Sequence, residues 1–352
     1  MSLQYSGPQY GIQVDLGAKS DFLEFVGKCD FKKLHFITGC GFELRARVIA
    51  EWLAESTDLR VQCTIVDLLN KNDPLYERAR TLQQENMQHI RNVVSIAKWP
   101  RQIVTSNLYS GRSVAHRPLQ RALMSILRRF EGDFLVDISS LPRSIALPAL
   151  KILWGSSHVR NLLVTYTQEP RTGALERQAR NFAEPDYLPL FHQPRAGAGF
   201  SVWFPILGWD PRPIRKIDEQ FVFNDTYPVV GFPSPGPIDT DEIVRKNKAM
   251  LKGRTEKIIF ASMNDPFQLS MRLNSAIDEI QGVFGKDANI IISPHGSKAQ
   301  SVGILITAMS RAVSIMYCQP LSYFPRRGGI GSSHLYWLKG TPYDNKKERM
   351  HR

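Results

Sequence analysis

Short apolar segments of β type alternate with amphipathic helical segments along most of the chain. The first apolar segment is KLHFIT at residues 33–38, and a short turn with two glycines leads from it into a helix with apolar positions three and four residues apart. Further strands are predicted at residues 60–67, 102–105, 133–138 and 159–165, with helices between them. This alternation is typical of α/β proteins with a mostly parallel sheet and predicts a Rossmann-like unit.

The same pattern restarts after a segment of different composition. Residues 168–200 contain scattered Pro and Gly without a sustained period, so we place a linker there. Strands and helices alternate again from residue 201 to residue 318. We therefore predict an α/β fold of two tandem Rossmann-like units with mostly parallel sheets. The predicted parts are an N-terminal domain at 1–167, the linker at 168–200, a C-terminal domain at 201–338 and a basic tail at 339–352.

Composition excludes several classes of protein. Of 352 residues, 43% are hydrophobic and 22% charged, which suits one large or two ordinary globular domains and excludes a disordered or fibrous chain. No apolar run approaches the roughly 20 residues that a membrane span needs, and the N-terminal segment has no signal-peptide pattern. We expect a cytoplasmic protein without a membrane partner.

Four cysteines are present: Cys29, Cys40, Cys63 and Cys318. They form no C-x-x-C pair and have no histidine at metal-ligand spacing, so we expect buried thiols and not a zinc site or a disulfide framework. No dinucleotide fingerprint or Walker A loop occurs either, so we assign no metal, and the sequence leaves any cofactor unknown.

The charge of the chain is basic and uneven. Forty-five Lys and Arg against 33 Asp and Glu give a net charge of +12, and eight basic side chains without an acidic one lie between Arg91 and Arg129. A second acid-free stretch runs from Ala288 to Tyr343. An anionic partner such as nucleotide, nucleic acid or an acidic protein surface would explain both stretches, unless acids elsewhere in the fold neutralise them. The candidate nucleic-acid contacts are Arg112, Arg117, Arg121, Arg128, Arg326 and Arg327.

Aromatic residues interleave with the last two of these arginines. The aromatic positions are Tyr317, Tyr323, Phe324, Tyr336 and Trp337. Such a mixture suits stacking on bases while cations bind phosphates. The alternative is that the aromatic side chains pack in the core.

Three strand-to-helix turns carry groups suited to an anion. TGCGFE follows the first strand, DISSLPRS follows the fourth, and SPHGSK follows a buried strand of the second half. Backbone N–H groups, hydroxyls and a cation at a helix start together make an anion site. The alternative is that the serines only cap their helices. The candidate ligand-binding residues are Thr38, Gly39, Gly41, Ser139, Ser140, Arg143, Ser293, His295, Gly296, Ser297 and Lys298.

The polar turn after the first strand and the D-[hydrophobic]-S-x-x-[basic]-like turn after the fourth resemble those of the CRISPR-associated Rossmann fold and its fused double form, the SAVED domain. The similarity covers roughly residues 33–165 and, more loosely, 201–318. Those domains bind cyclic nucleotides or oligonucleotides in prokaryotic antiviral defence. The resemblance implies ligand contacts in the first and second turns at the candidate residues just named, and Ser140-Leu141-Pro142 stands where those families often carry glycines.

Catalytic signals are fewer. Glu43 and His295 are acid or base candidates at sheet-edge turns, although Glu43 also suits a helix first turn and His295 a phosphate contact. His35, inside the first strand, is predicted to be a core histidine. We expect a nucleotide- or oligonucleotide-binding sensor or effector-associated subunit of a defence system, with a partner protein subunit. The alternatives are a nucleotide-processing hydrolase or transferase and a nucleic-acid-binding scaffold subunit of a larger complex.

Overall fold

The coordinates are those of a computed structural model. The structure describes residues 3–5, 11–29, 31–56, 59–69, 76–107, 115–170, 179, 181–194, 199–236, 239–322 and 329–340. The chain forms two compact units, the first from Met1–Gln178 with Ser322–Arg352 and the second from Ala179–Leu321. Both are α/β, as the alternating pattern predicted.

The first unit begins with seven of the eight strands of its sheet. Its elements are β1 (Leu3–Tyr5), β2 (Ile12–Leu16), α1 (Lys19–Lys28), β3 (Lys33–Cys40), a 3₁₀ turn (Leu44–Ala46), α2 (Val48–Ala54), β4 (Arg60–Leu69), α3 (Tyr76–Ile96), β5 (Arg101–Asn107), α4 (Arg117–Leu127), β6 (Gly132–Asp137), α5 (Arg143–Gly155) and β7 (Val159–Thr167).

The second unit follows, and the chain then returns to the first. Its elements are β8 (Asp186–Tyr187), β9 (Ser201–Ile206), α6 (Arg212–Gln220), β10 (Asp225–Thr226), β11 (Val229–Gly231), α7 (Asp239–Lys246), α8 (Lys248–Leu251), a 3₁₀ turn (Thr255–Lys257), β12 (Ile259–Ala261), α9 (Pro266–Phe284), β13 (Asn289–Pro294), α10 (Lys298–Ser310) and β14 (Val313–Tyr317); the returning strand is β15 (Ser333–Lys339).

The two sheets share one strand order. The first runs β1-β2-β15-β7-β6-β3-β4-β5, and the second runs β12-β11-β9-β13-β14-β8 with β10 also paired to β9. The segments β7-β6-β3-β4-β5 and β12-β11-β9-β13-β14 are parallel throughout. Numbered along the chain, each segment has the order 3-2-1-4-5, which is the Rossmann order. The predicted repetition of the first half by the second is therefore confirmed.

Burial explains why the central strands are apolar along their whole length. Seven of the eight residues of β3 are buried, and so are all six of β13. Helices cover both faces of such a sheet, so its strands show no polar alternation.

Within the described residues no helix is both long enough and apolar enough to cross a bilayer.

All four cysteines are free and buried, as the sequence predicted. Loss of solvent around each sulfur disfavours the thiolate and raises the pKa of each thiol to about 12. These side chains therefore act as small apolar groups.

The predicted C-terminal domain at 201–338 is wrong at its end, because β15 belongs to the first sheet. This strand pairs antiparallel with both β7 and β2, and the Trp337 ring packs edge-on against Phe25, with 5.8 Å between ring centroids. The predicted tail also begins too early, since Lys339 ends β15 and its Nζ donates to the carbonyl oxygens of Trp154 and Ser156. Residues 341–352 lie outside the described residues.

The predicted linker at 168–200 is wrong in part. Asp186–Tyr187 forms β8, which pairs antiparallel with β14, and Phe182 forms a bridge with Pro320. Residues 179 and 181–194 thus belong to the second unit. The sequence pattern did not indicate this, because its proline residues are scattered there and its apolar residues follow no regular period. Residues 171–178, 180 and 195–198 lie outside the described part of the chain.

Candidate functional site

All the candidate ligand-binding residues lie at or near the switch point of a sheet. From β3 the chain moves to one side through β4 and β5, and it then returns to β6 and β7 on the other side. The second sheet does the same around β9 and β13. In open α/β sheets ligands bind outside the carboxyl ends of the two strands that flank this reversal.

In the first unit the hydroxyl groups at the switch point form hydrogen bonds with other groups of the protein. Thr38 Oγ1 donates to Asp137 Oδ2 over 3.3 Å, and Ser139 Oγ donates to Asp137 Oδ1. The backbone N–H of Thr167 in turn donates to Ser139 Oγ over 2.8 Å. Thr38, Asp137 and Ser139 are completely buried. These groups tie β3, β6 and β7 together at their carboxyl ends.

The turns after β3 and β6 also contact each other directly. The Ser140 hydroxyl donates to the carbonyl of Gly39, and a Cβ on Gly39 would lie 2.8 Å from Leu141 Cδ2. Gly41, Ser140 and Arg143 remain half-buried at the rim. The alternative that Ser140 caps the following helix is wrong, because Pro142 occupies the N-cap of α5. Ser140 and Leu141 instead fill the switch point of the first unit.

Glu43, one of the two acid–base candidates, is held by an ion pair. Its Oε2 lies 2.6 Å from Arg45 Nη2, and both side chains are largely buried. Although burial disfavours the charged guanidinium, the Glu43 carboxylate raises the pKa of Arg45. Arg45 also donates to the Thr167 carbonyl over 3.4 Å. A partner of this kind fixes the carboxylate in place at the rim of the first switch point.

Helix α3 supplies two amides that the sequence analysis missed. Gln83 Nε2 donates to the Cys40 carbonyl over 3.0 Å, and Asn86 Nδ2 donates to the Gly41 carbonyl over 2.7 Å and to that of Glu43 over 3.0 Å. Both amides are buried. Polar residues three apart on the buried face of an amphipathic helix were the available signal.

In the second unit, Ser297 caps α10, as one of the two sequence-based alternatives predicted. Its Oγ accepts the Gln300 N–H over 3.0 Å, and its own N–H donates to Gln300 Oε1 over 2.9 Å, which makes a capping box. The Ser297 hydroxyl donates its proton to the Met263 carbonyl. Ser293 is completely buried and accepts from Trp203 Nε1 over 2.8 Å. Both serines therefore hold the turn together.

His295 is half-buried between the ends of β9 and β14. Its ring stacks on Tyr317, with 5.2 Å between centroids, and Nε2 accepts the Cys318 N–H at 3.5 Å. The backbone carbonyl of His295 lies against Gly208, where a Cβ would be only 2.0 Å from the carbonyl oxygen. Only glycine fits that position. His295, Gly296, Ser297 and Lys298 are all half-buried, as are Gly41, Ser140 and Arg143 in the turns of the first unit.

The amide of Gln300 is the residue at this switch point that sequence reasoning missed. Its side chain is 1% exposed in the first turn of α10. Because Oε1 accepts the Ser297 N–H, the other amide atom is Nε2, a double donor that has no hydrogen-bond partner. A Cβ placed on Gly231, at the carboxyl end of β11, would lie 3.5 Å from this nitrogen. An unsatisfied buried donor at a switch point fits a ligand oxygen.

The candidate nucleic-acid contacts on α4 and at its C-cap face solvent. Arg117, Arg121 and Arg128 are exposed, while Leu119 and Leu123 on the opposite face are buried. Arg112, Arg326 and Arg327 lie outside the described residues.

Three of the five aromatic residues near the C-terminus pack in the core. Tyr317, Tyr336 and Trp337 are buried in strands, which confirms the core-packing alternative for them. Tyr323 and Phe324 lie outside the described residues.

Comparison with known proteins adds little. No protein-family model and no curated protein matches the chain. Among solved structures, the chain is similar to the cytoplasmic domain of a prokaryotic cation chloride cotransporter, with 9% sequence identity and a TM-score of 0.26 over 83% of this chain and 96% of that one. Similarity at this level carries no argument about function.

Proposed function

We propose that the protein binds a nucleotide or short oligonucleotide, and that a phosphate or base oxygen of this ligand lies at the switch point of the second unit. The observation that carries the proposal is the buried Gln300 Nε2 without an acceptor, in the first turn of α10. Leaving such a donor unsatisfied costs about 1–3 kcal/mol. A ligand oxygen that accepts its hydrogen bond would recover this free energy.

The surrounding turn supplies the other groups that such a ligand needs. The start of α10 carries the positive end of the helix dipole, and Lys298 adds a cation in the same turn. We assign the central contact to Gln300, whose Nε2 has no acceptor, and further contacts to Lys298, His295 and the backbone of Gly296, which are half-buried in the same turn.

The second unit is preferred to the first because the Gln300 amide without an acceptor lies there. In the first unit, Thr38 and Ser139 are fully buried and bonded to Asp137. The cytosolic location is the expectation drawn from the composition and the N-terminal segment. The role as a sensor or effector-associated subunit in antiviral defence, with a partner subunit, comes from the resemblance to SAVED-like domains. It is part of this proposal.

The test begins with the intact protein. Nucleotides released on denaturation are identified by mass spectrometry, and binding of ATP and of a cyclic oligoadenylate is measured by calorimetry. Lys298→Ala should weaken binding about ten- to a hundredfold, because it removes one charge-assisted contact. Lys286→Ala is the matched control, since Lys286 is exposed before β13, at the opposite edge of the sheet.

A second variant tests the amide itself. Gln300→Glu keeps an oxygen for the Ser297 N–H, removes the donor and adds a repelling charge, so affinity should fall at least about tenfold. Circular dichroism checks that the variant folds. Equal losses for Lys298→Ala and Lys286→Ala, or no binding of either nucleotide, would contradict the proposal.

A second candidate function is nucleic-acid binding by α4. The exposed Arg117, Arg121 and Arg128 favour it, because they lie in a stretch of sequence without acidic residues.

A further inference from the structure

A cleft of about 290 Å³ opens near the amino ends of β3, β4 and β5 in the first unit. The end of α4 forms its other wall. The cleft lies toward the edge of the sheet opposite the switch point, so it is distinct from the site proposed for nucleotides and does not depend on it. Its volume is near the lower limit of pockets that hold small molecules.

The charged side chains that line this cleft are all basic. Arg101 and Arg129 both line it, and its lining residues include no Asp or Glu. Arg101 Nη1 donates to Ser95 Oγ over 2.6 Å, and Arg129 Nη2 donates to Ser125 Oγ over 3.2 Å. In the part of the chain that the structure describes, both guanidinium groups have neutral hydroxyl partners and no ion pair. They therefore remain available to an anion.

The floor of the cleft is apolar and aromatic and contains one unsatisfied polar atom. Ile126 and Phe130 line it beside His35, whose ring lies 5.4 Å from the Phe130 centroid. His35 is 4% exposed, as the sequence predicted for a core histidine, and its Nε2 lies 2.8 Å from Thr64 Oγ1. Its Nδ1 is buried and makes no hydrogen bond.

Two guanidinium groups beside an apolar and aromatic lining suit an anion attached to a flat apolar body.

We propose that this cleft binds a small planar organic anion, a carboxylate or phosphate monoester on a single ring. The acidic group lies at Arg101 and Arg129, and the ring lies against Ile126 and Phe130.

Calorimetry with the full chain tests this directly. The probes are benzoate and phenyl phosphate, with benzyl alcohol as the neutral match and inorganic phosphate as the match without a ring. Benzoate or phenyl phosphate should bind at least about tenfold more tightly than both matches, and the bound probe should shift the ring NMR signals of His35. The proposal is overturned if benzyl alcohol or inorganic phosphate binds as tightly as the two probes. It is also overturned if neither probe binds at concentrations up to about 10 mM.

Matched variants locate the site. Arg129→Gln should weaken probe binding about tenfold, because it removes a charge-assisted contact. Arg128→Gln removes the same charge from the neighbouring exposed position outside the cleft and should change affinity less than about twofold. Equal effects of the two variants would mean general attraction by charge and would overturn the site.

Discussion

Burial determines the charge state of His35. Removal of its imidazole from water disfavours the protonated form and lowers its pKa to about 4, although the side chain of the nearby Gln62 acts in the opposite direction. In the unfolded chain a histidine titrates near its ordinary value of 6.5. The unfolded state therefore binds more protons between these two pKa values.

The stability of the first unit should consequently fall as the pH drops from about 6.5 toward 4 and be fully present above that window. Between pH 7 and pH 5 the contribution of His35 to the free energy of unfolding should decrease by roughly 2 kcal/mol. Urea unfolding of the wild type and of His35→Gln at both pH values measures it. If the two proteins lose the same stability over this interval, His35 is not the group responsible.

Gly208 allows a second prediction at single-residue scale. Gly208→Ala would place a Cβ 2.0 Å from the His295 carbonyl oxygen, so the turn after β13 must move. We expect a loss of about 1–3 kcal/mol in the free energy of unfolding and weaker nucleotide binding.

The matched control lies in the same unit. A Cβ on Gly282, within α9, would meet nothing within 4 Å, so Gly282→Ala should stabilise the helix by about 0.5–1 kcal/mol. Chemical denaturation compares the two variants. A neutral effect of Gly208→Ala would show that the contact with His295 is dispensable.

At the scale of single elements, α4 carries its buried apolar residues on one face and its exposed basic residues on the other. Leu119, Leu123, Ile126 and Leu127 are buried, whereas Arg121 and Arg128 are exposed. The periodicity of the sequence predicted both faces, because burial of an apolar stripe is a local property of an amphipathic helix.

Reversal of the two exposed charges tests what this helix does. The double variant Arg121→Glu with Arg128→Glu should leave the melting temperature nearly unchanged, because exposed charges contribute little to stability. If α4 binds nucleic acid, affinity and the slope of log K against log salt should both fall. Fluorescence anisotropy with a labelled oligonucleotide at several salt concentrations measures both, and an unchanged slope would exclude α4 as the contact surface.

Strands that pair with a strand far away along the chain were harder to predict. Central strands such as β3 and β13 are apolar throughout and end in polar turns, so their positions and their carboxyl-edge turns followed from local pattern. The short antiparallel β8 and the amino-terminal β2 have no such signature. Gln300 was missed for a similar reason, because an unsatisfied amide is recognised only when its neighbours in space are known.

For the whole molecule, the main difference from the prediction is the path of the chain. The second unit, Ala179–Leu321, is inserted between β7 and β15 of the first. Strand order within each unit follows general rules for parallel sheets. The return of β15 follows from a long-range pairing that no local pattern encodes.

Truncation after Leu321 tests the inserted arrangement. Without β15, the strand β2 is no longer joined to β7 and pairs only with β1. The side chain of Trp337, which is 1% exposed in the core of the first unit, is also removed. Hydrogen exchange should show loss of protection in β2 and α1, while β9 and β13 keep theirs. Truncation after Gly340, which retains β15, is the control. Equal loss of protection in both units would contradict their independence.

The position of β15 also has a consequence for synthesis on the ribosome. The apolar strand β2 is made early, but the strand that separates it from β7 emerges only after all 143 residues of Ala179–Leu321. The nascent chain therefore carries an unpaired strand edge on β7 and an undocked β2 while the inserted unit is translated. Exposed edges of this kind promote aggregation. The first sheet can therefore be completed only after the inserted unit has been synthesised.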